Sequence, residues 1–266
     1  METHFHFVKG KVMFPSLFIS HGAPNTVLKE TISKNNLRNI QENLGKPKYI
    51  VVISAHWTSS TLEMINPSSH ELMYDFYGFE KELYEFKYDI SSSQGISADI
   101  CEKLKPLNIK VNEKRKSFDH GVWTVLYLLF EKIDIPVIQL SLPISYSTQE
   151  LINLGKALRV LRDEALLVFS GSVTHNLYDI NPTINASVKP YAKIFNEAVN
   201  KALVEGNSKV FEEYEKIPYF KNNHPTSEHF LPLLIALGSA KDYKAKIINQ
   251  EMMYSNISMD SYMFKG

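Results

Sequence analysis

Short runs of apolar and often β-branched residues alternate along this chain with longer segments of helical periodicity. This alternation is typical of a largely parallel β-sheet with helices packed against it. Strands are predicted at residues 17–20, 49–55, 135–142 and 166–170. Helices are predicted at residues 27–44, 95–105, 121–130, 148–164, 190–205, 208–216 and 227–237. The pattern therefore predicts an α/β fold with a central, mostly parallel sheet and helices on both faces.

The 266 residues contain no internal repeat, low-complexity tract or linker rich in Pro, Gly and Ser. We therefore expect residues 1–266 to form a single domain. A chain of this length buries a sizeable core without the help of disulfides. Thr148 and Ser227 are predicted to cap the helices that follow them, and Pro190 suits a first helical turn.

The balance of 29 basic and 29 acidic residues favours neither nucleic acid nor an anionic membrane as a partner. Cys101 is the only cysteine, which excludes an intramolecular disulfide and a cysteine-based zinc site. It falls in a helical pattern and is interpreted as a small buried hydrophobe. No signal-peptide-like or membrane-spanning apolar run is present, so we expect a cytoplasmic protein. His4 and His6 alternate with phenylalanines and suit an edge strand better than a metal site.

Three histidines follow predicted strands at matching positions. His21 comes directly after the run PSLFIS, His56 ends the run YIVVISAH, and His175 follows LLVFSGSVT. In open α/β sheets, ligands bind beyond the carboxyl ends of the strands, where these side chains are expected to converge. Neutral imidazole is a common ligand of zinc, iron and copper. The sequence therefore predicts a metal centre there, although any one of these histidines alone would be interpreted as structural.

Two further histidines lie at the starts of predicted helices. His120 follows Asp119 at the beginning of an apolar helix, and either it faces the same crevice or Asp119 is simply the N-cap. Glu228 and His229 are predicted in the first turn of the helix that follows Ser227. Either of them could complete a metal site. His224, before Pro225, is interpreted as a neighbour of the site rather than a ligand.

The segment 67–93 is rich in aromatic residues but has little regular period. Such a segment is typical of a long loop or lid. Two interpretations stay open: its rings line a pocket for a flat ligand, or they only cover the core.

Several segments together resemble the class III, LigB-type extradiol ring-cleavage dioxygenases, in the branch similar to 4,5-DOPA extradiol dioxygenases. They occur in the order typical of that family and span the chain from Pro15 to Gly238. The matching segments are SLFISHGAPNTVL, VVISAHW, FDHGVWTVL, IPVIQLSL, LLVFSGSVTHNL and HPTSEHFLPLLIALG.

The resemblance implies a ligand set. His21 and His56 match the first two metal ligands of the family, and His229 matches the C-terminal ligand of this branch. In the wider class the third ligand is a carboxylate, so Glu228 is the alternative to His229. His175 is a further candidate metal residue, and whether it is a ligand or only an acid and base stays open.

The resemblance also implies catalytic roles. His175 matches a histidine that neighbours the metal and acts as acid and base, and His120 matches a histidine on the substrate side. We expect His175 to take a phenolic proton from the substrate and later return it, a task suited to an imidazole with a pKa near the working pH.

The activity implied is the cleavage of a catechol ring beside its two hydroxyls. It uses O2 as co-substrate and one divalent metal, Fe(II) for activity, although purified members often contain Zn(II). Ser227 stands where the plant-type motif has a proline, and this loop is expected to shape substrate preference. Which catechol is cleaved therefore stays open, as does the oligomeric state.

Two other hypotheses remain from different functional classes. A zinc hydrolase could use the same histidines, with Glu228 nearby, to activate water. A non-catalytic adaptor of the same fold would retain the core but would have no need of His175 and His120 as acid, base or substrate contact.

Overall fold

The structure is a computed structural model and describes residues 13–265, so the expected edge strand around His4 and His6 lies outside the described residues. The strands within the described part are β1 (Ser16–Ser20), β2 (Tyr49–Ser59), β3 (Glu63–Ile65), β4 (Glu71–Leu72), β5 (Lys110–Asn112), β6 (Ser117–Phe118), β7 (Val137–Pro143), β8 (Ala165–Gly171), β9 (Ala245–Asn249), β10 (Met252–Met253), β11 (Ile257–Ser258) and β12 (Ser261–Phe264). All four predicted strands are present and shifted by only a few residues.

The main sheet has the strand order β5-β3-β7-β2-β8-β1-β12-β9. Its centre is parallel: β2 pairs with β7 and β8, and β8 pairs with β1. At one side β12 pairs antiparallel with both β1 and β9. The expectation of an α/β fold with a mostly parallel sheet is confirmed. The two C-terminal strands were not predicted from the sequence.

The helices in the same part of the chain are α1 (Ile32–Asn39), α2 (Lys81–Glu85), α3 (Gln94–Lys103), α4 (His120–Leu129), α5 (Thr148–Leu158), α6 (Pro190–Glu205), α7 (Lys209–Glu212), α8 (Phe220–Asn223) and α9 (Leu231–Ser239). The prediction of one continuous helix over residues 27–44 is wrong. The Thr31 side chain accepts a hydrogen bond from the backbone N–H of Lys34 and starts α1 there, and 3₁₀ turns lie on either side.

The capping predictions also need correction. Ser147, not Thr148, caps α5, in a reciprocal capping box with Glu150. Ser227 does not cap α9, which begins only at Leu231. Because backbone N–H groups of Phe230 and Leu231 donate to the Ser227 carbonyl, residues 227–230 form a turn before the helix. Glu228 and His229 therefore lie in that turn rather than in the first turn of the helix.

Helices cover both faces of the sheet, because successive strand residues point to opposite sides. Leu17 and Ile19 of β1 pack in one core, which includes Trp123 of α4. Phe18 packs in the other core, with Leu151 of α5 and Leu234 of α9. Each parallel strand is thus apolar on both sides, as its nearly continuous apolar sequence predicts.

Arg162 joins several elements at the amino end of the sheet. Its side chain is fully buried and donates to the carbonyls of Phe14 (2.8 Å), Ser239 (2.6 Å) and Phe264 (2.9 Å). These carbonyls lie before β1, at the end of α9 and at the end of β12. One guanidinium therefore satisfies three buried backbone acceptors from distant parts of the chain.

None of the helices found between residues 13 and 265 has both the length and the apolar character needed to cross a bilayer.

Candidate metal centre

Three histidines meet beyond the carboxyl ends of the central strands. His21 directly follows β1, His56 lies within β2, and His229 lies in the turn before α9. Strand β8 separates β1 from β2 and ends at Gly171, so the crevice opens above it. The expectation that His56 follows its strand is wrong in detail. Strand β2 continues to Ser59, and its pairing with β7 is irregular between Ile53 and Thr58, where His56 lies.

The imidazole nitrogens of these three residues approach closely. His56 Nε2 lies 3.0 Å from His21 Nε2 and 3.3 Å from His229 Nε2. Two nitrogens bound to one metal ion at about 2.1 Å lie roughly 3.0 to 3.4 Å apart, for bond angles between 90° and tetrahedral. Each of these two separations therefore suits a pair of nitrogens that bind one divalent metal ion.

His120 belongs to the same cluster. Ligand atoms of His21, His56 and His120 all lie within 4.8 Å of one another. The rings of His56 and His120 have centroids 3.8 Å apart. The geometry thus offers two overlapping trios that share His21 and His56, with either His229 or His120 as the third member.

Hydrogen bonds behind two of the rings fix which nitrogen faces the centre. Ser170 Oγ donates to the Gly121 carbonyl (2.6 Å), so it accepts from His21 Nδ1 (3.0 Å). Glu228 Oε1 accepts from His229 Nδ1 at 3.0 Å. With hydrogen on Nδ1, each ring presents a bare Nε2 lone pair towards the crevice. Partners of this kind behind the ligands are typical of metal sites.

Glu228, the alternative third ligand, lies behind His229. Its carboxylate bonds to His229 Nδ1 and to Thr226 Oγ1 (2.9 Å). In this position it orients the imidazole, and His229 is the residue that reaches the cluster.

His175 lies at the edge of the cluster and stacks on His229. The ring centroids are 3.6 Å apart and the planes differ by 8°. Its backbone N–H donates to the Asn223 carbonyl at 3.0 Å. His224, next to Asn223, donates from Nε2 to the Val173 carbonyl (2.7 Å) and is fully buried. It therefore supports the segment that carries His175.

Two glycines allow these close approaches. A Cβ on Gly171 would collide with the His229 carbonyl, and one on Gly121 would collide with Ser54 Oγ and touch the His56 ring. The Ser172 N–H also donates to the His229 carbonyl at 2.8 Å. The His229 backbone can thus lie close to the end of β8 because Gly171 has no side chain, and the N–H of Ser172 bonds to it.

Asp75 was missed by the sequence analysis. Its Oδ1 accepts from both the backbone N–H (3.0 Å) and Nδ1 (2.9 Å) of His120.

Asp119 precedes α4, but its side chain does not cap the helix. It is fully buried and bonds instead to Ser54 (2.7 Å) and Arg115 (2.9 Å), and also to Gln139. The alternative that Asp119 caps the helix through its side chain is therefore wrong, and Asp75 takes that place.

The aromatic segment 67–93 both covers the core and reaches the histidine cluster. Phe86 stacks on Trp123 with centroids 5.6 Å apart, and it covers the core. Phe76 contacts the His120 ring edge-to-face at 5.6 Å, so one ring of the segment reaches the cluster. Tyr77 is 93% exposed and contributes to neither.

A groove of about 510 Å³ lies beside the cluster, since Thr58 and Glu228 both line it together with Lys221 and Ser227. A separate groove of about 480 Å³ runs along α6 and α7. None of the clustered histidines lines either groove; the first adjoins the centre through Glu228, which bonds to His229, and the second has no such link.

Burial keeps most of these imidazoles neutral. It lowers the pKa of His56 to about 3, helped by His120 and opposed by Asp75. Burial, with His56 and His120, lowers the pKa of His175 to about 4. The pKa values of His21 and His229 fall well below the ordinary value for the same reasons, burial first and the neighbouring histidines next. Neutral imidazole is the form that binds metals.

The pKa of Asp75 is also lowered, but for a carboxyl group this favours the charged form. Burial raises its pKa, but the hydrogen bonds and charge of His120 outweigh that effect and lower the pKa to about 2. Asp75 is therefore ionised at neutral pH.

Comparison with known proteins identifies this arrangement. Residues 15–265 match the family described as the catalytic LigB subunit of aromatic ring-opening dioxygenase. The chain belongs to this family. It is thus a metal-dependent extradiol dioxygenase, and the earlier hypotheses of a zinc hydrolase and an adaptor are not supported.

Individual relatives cover nearly the whole chain. A 4,5-DOPA dioxygenase extradiol from Beta vulgaris is 36% identical over 94% of this chain and 96% of its own length. One from Escherichia coli K12 is 33% identical over 87% of both. The crystal structure of an uncharacterized protein from Escherichia coli K12 superposes with a TM-score of 0.78 at 29% identity, covering 94% of this chain and 99% of that one.

Proposed function

We propose that the protein cleaves the ring of a DOPA-like catechol with O2, using Fe(II) held by His21, His56 and His229. The observation that supports this most directly is the convergence of three Nε2 atoms, with His56 Nε2 lying 3.0 and 3.3 Å from the other two. When bound, Fe(II) would hold the two catechol oxygens and dioxygen together and pass electrons between them. Zn(II) fits the same nitrogens but lacks this redox chemistry.

His229 is a better third ligand than His120 because of how each ring is supported. The His229 backbone is fixed by Ser172 and Gly171, and Glu228 orients its ring. His120 instead contacts Phe76 of the aromatic segment, which suits a residue that faces the substrate.

His175 is proposed as the acid and base. Because its pKa is lowered to about 4, it is neutral at pH 7 and ready to accept a phenolic proton. Once protonated, such an imidazole is a strong acid, which favours returning the proton during ring opening. Because His175 stacks on His229, we propose that it acts beside the three ligands rather than as a fourth.

The substrate class is proposed from the relatives, which are named for 4,5-DOPA, and from the groove of about 510 Å³ beside the cluster. This groove has the size of a small-molecule site. Ser227 lines it, so this position is expected to influence which catechol is preferred. We expect the reaction to take place in the cytoplasm.

Anaerobic reconstitution tests the proposal. The protein is stripped of metal and loaded with Fe(II) or Zn(II). Catechols with and without an amino-acid side chain are then added, and the oxygen electrode and ultraviolet absorbance are followed. We expect oxygen uptake and a yellow product with Fe(II) only. No response across the panel would contradict the proposed substrate class.

Metal analysis of variants tests the ligand set. His21→Ala, His56→Ala and His229→Ala should each lose the metal, whereas His120→Ala and Glu228→Gln should retain most of it. Loss of metal from His120→Ala with retention in His229→Ala would show that the other trio holds the ion.

A further inference from the structure

One carboxylate, that of Asp75, lies behind two histidines of the cluster. Its Oδ1 is 2.9 Å from His120 Nδ1, and its Oδ2 is 3.7 Å from His56 Nδ1. Only the first distance is short enough for a hydrogen bond. The carboxylate therefore orients His120 directly and lies near His56 without bonding to it.

The bond from Asp75 determines what the other side of the His120 ring can do. An ionised carboxylate only accepts hydrogen bonds, so the hydrogen of neutral His120 must be on Nδ1. Nε2 then carries a lone pair and can accept, but not donate, a hydrogen bond. A hydrogen-bond acceptor at this position can bind the hydroxyl group of a substrate.

The backbone N–H of His120, as well as its ring, holds the Asp75 carboxylate. The first N–H of α4, that of His120, also donates to Oδ1, and the positive end of the helix stabilises the negative charge. The Asp75 side chain is 22% exposed. The carboxylate thus has two donors from a single residue, which holds it in one orientation.

Asp75 lies in the aromatic segment and not on the sheet. Phe76, the next residue, contacts the same His120 ring. Glu80 of the same segment makes a separate anchor, since Asn25 Nδ2 donates to both of its oxygens at 3.1 and 3.2 Å. The segment therefore has two carboxylate anchors, only one of which contacts a histidine of the cluster.

We propose that Asp75 is a positioning residue that makes His120 a hydrogen-bond acceptor towards a substrate hydroxyl. The inference rests on the proposed function, because it assumes a catechol in the crevice. Glu80 anchors the same segment without touching the cluster, and so it supplies a matched control.

Two measurements test the proposal on the full chain. The first is ¹⁵N magnetic resonance of the histidine rings in zinc-loaded protein, which reports which nitrogen of His120 carries hydrogen. Asp75→Ala removes the acceptor and should change the His120 signals towards the Nε2–H form, whereas Glu80→Gln should leave them unchanged. His120→Ala assigns the signals.

The second measurement is turnover of a catechol by the Fe(II)-loaded protein. Partners behind active-site histidines typically contribute about 10- to 100-fold. We expect kcat of Asp75→Ala to fall by about that factor with little change in KM or metal content, and Asp75→Glu, which keeps an acceptor, to recover part of it. Glu80→Gln should turn over like the unaltered protein.

Two outcomes would overturn the proposal. One is an unchanged His120 spectrum together with normal kcat in Asp75→Ala. The other is an equal loss in Glu80→Gln, which would mean that anchoring the segment is all that matters. Failure of the proposed function is distinct, because the unaltered protein would then show no oxygen uptake while the ring spectra still report on Asp75.

Discussion

The two ends of the central sheet bury polar side chains in contrasting ways. At the amino end, Arg162 finds three backbone carbonyls and is satisfied within the chain. At the carboxyl end, His21, His56 and His229 point their nitrogens at one another, and burial lowers the pKa of each. At the amino end the polar groups are satisfied within the chain, whereas the carboxyl end brings together imidazole nitrogens that can bind a metal ion. Binding sites of this kind commonly cost stability that the rest of the fold supplies.

The largest expected effect is a loss of activity at the carboxyl end without a loss of stability. His175→Ala should lower kcat by about 10²- to 10⁴-fold, since it removes the proposed acid and base. Metal content and the midpoint of urea unfolding should change little. Oxygen uptake and metal analysis measure the outcome, with the exposed His70→Ala as control. Full ring cleavage by His175→Ala would remove this residue from the mechanism.

The amino end should respond in the opposite way. Arg162→Met leaves three buried carbonyls without a donor and should lower the free energy of unfolding by at least about 3 kcal/mol. Activity per folded molecule should stay within about twofold, because the change is far from the histidines. Arg159 also binds carbonyls, of Gly238 and Ala240, but is partly exposed, so Arg159→Met should cost less. Equal losses in urea unfolding would show that burial does not set the cost.

A smaller effect is expected behind the cluster. Ser170→Ala removes the acceptor of His21 Nδ1 and should weaken metal binding by about 10- to 100-fold. Competition with a chelator measures this affinity. Ser172→Ala, two residues along, removes a hydroxyl that bonds only to backbone carbonyls and serves as the control. An unchanged affinity in Ser170→Ala would mean that packing alone orients His21.

Acid should destabilise the metal-free protein through the carboxyl end. The folded pKa of His56 is lowered to about 3, below its unfolded value, so its contribution to stability is present above about pH 6.5 and is lost as pH falls towards 3. At pH 5 this loss is about 2 kcal/mol for one histidine. His56→Gln should therefore lose less stability than the unaltered protein between pH 7.5 and pH 5. Parallel pH dependences in urea unfolding would contradict the assignment.

The sequence predicts the proposed ligands better than their supports. His21 and His56 follow or end apolar runs, and this pattern alone places them at the carboxyl end of a parallel sheet. Asp75 lies in a segment without regular period, so no local signal connects it with His120, 45 residues away. For Asp119, the local sequence predicts the wrong role. Its position before a helix suggests a cap, but buried partners on β2 and β7 hold its side chain instead.

The parallel strands were predictable because each is a continuous apolar run. Strands β9 and β12 are short and mix polar with apolar residues, so their own composition does not predict them; β12 pairs with β1, and β9 pairs with β12. The start of α9 was predicted four residues early for a related reason. Ser227 is a good capping residue by type, but residues 227–230 form a turn instead.

The position of β1 in the sheet has a consequence for how the chain acquires its structure. This strand is the first in the described residues, yet its neighbours are β8 and β12, so Ser16 pairs with Leu167 and Phe264. Contacts this distant in sequence slow folding. During synthesis, the apolar residues Leu17, Phe18 and Ile19 of this strand must wait for well over a hundred residues before they are covered. We therefore expect the nascent chain to depend on chaperones, and metal to enter only after His229 has left the ribosome.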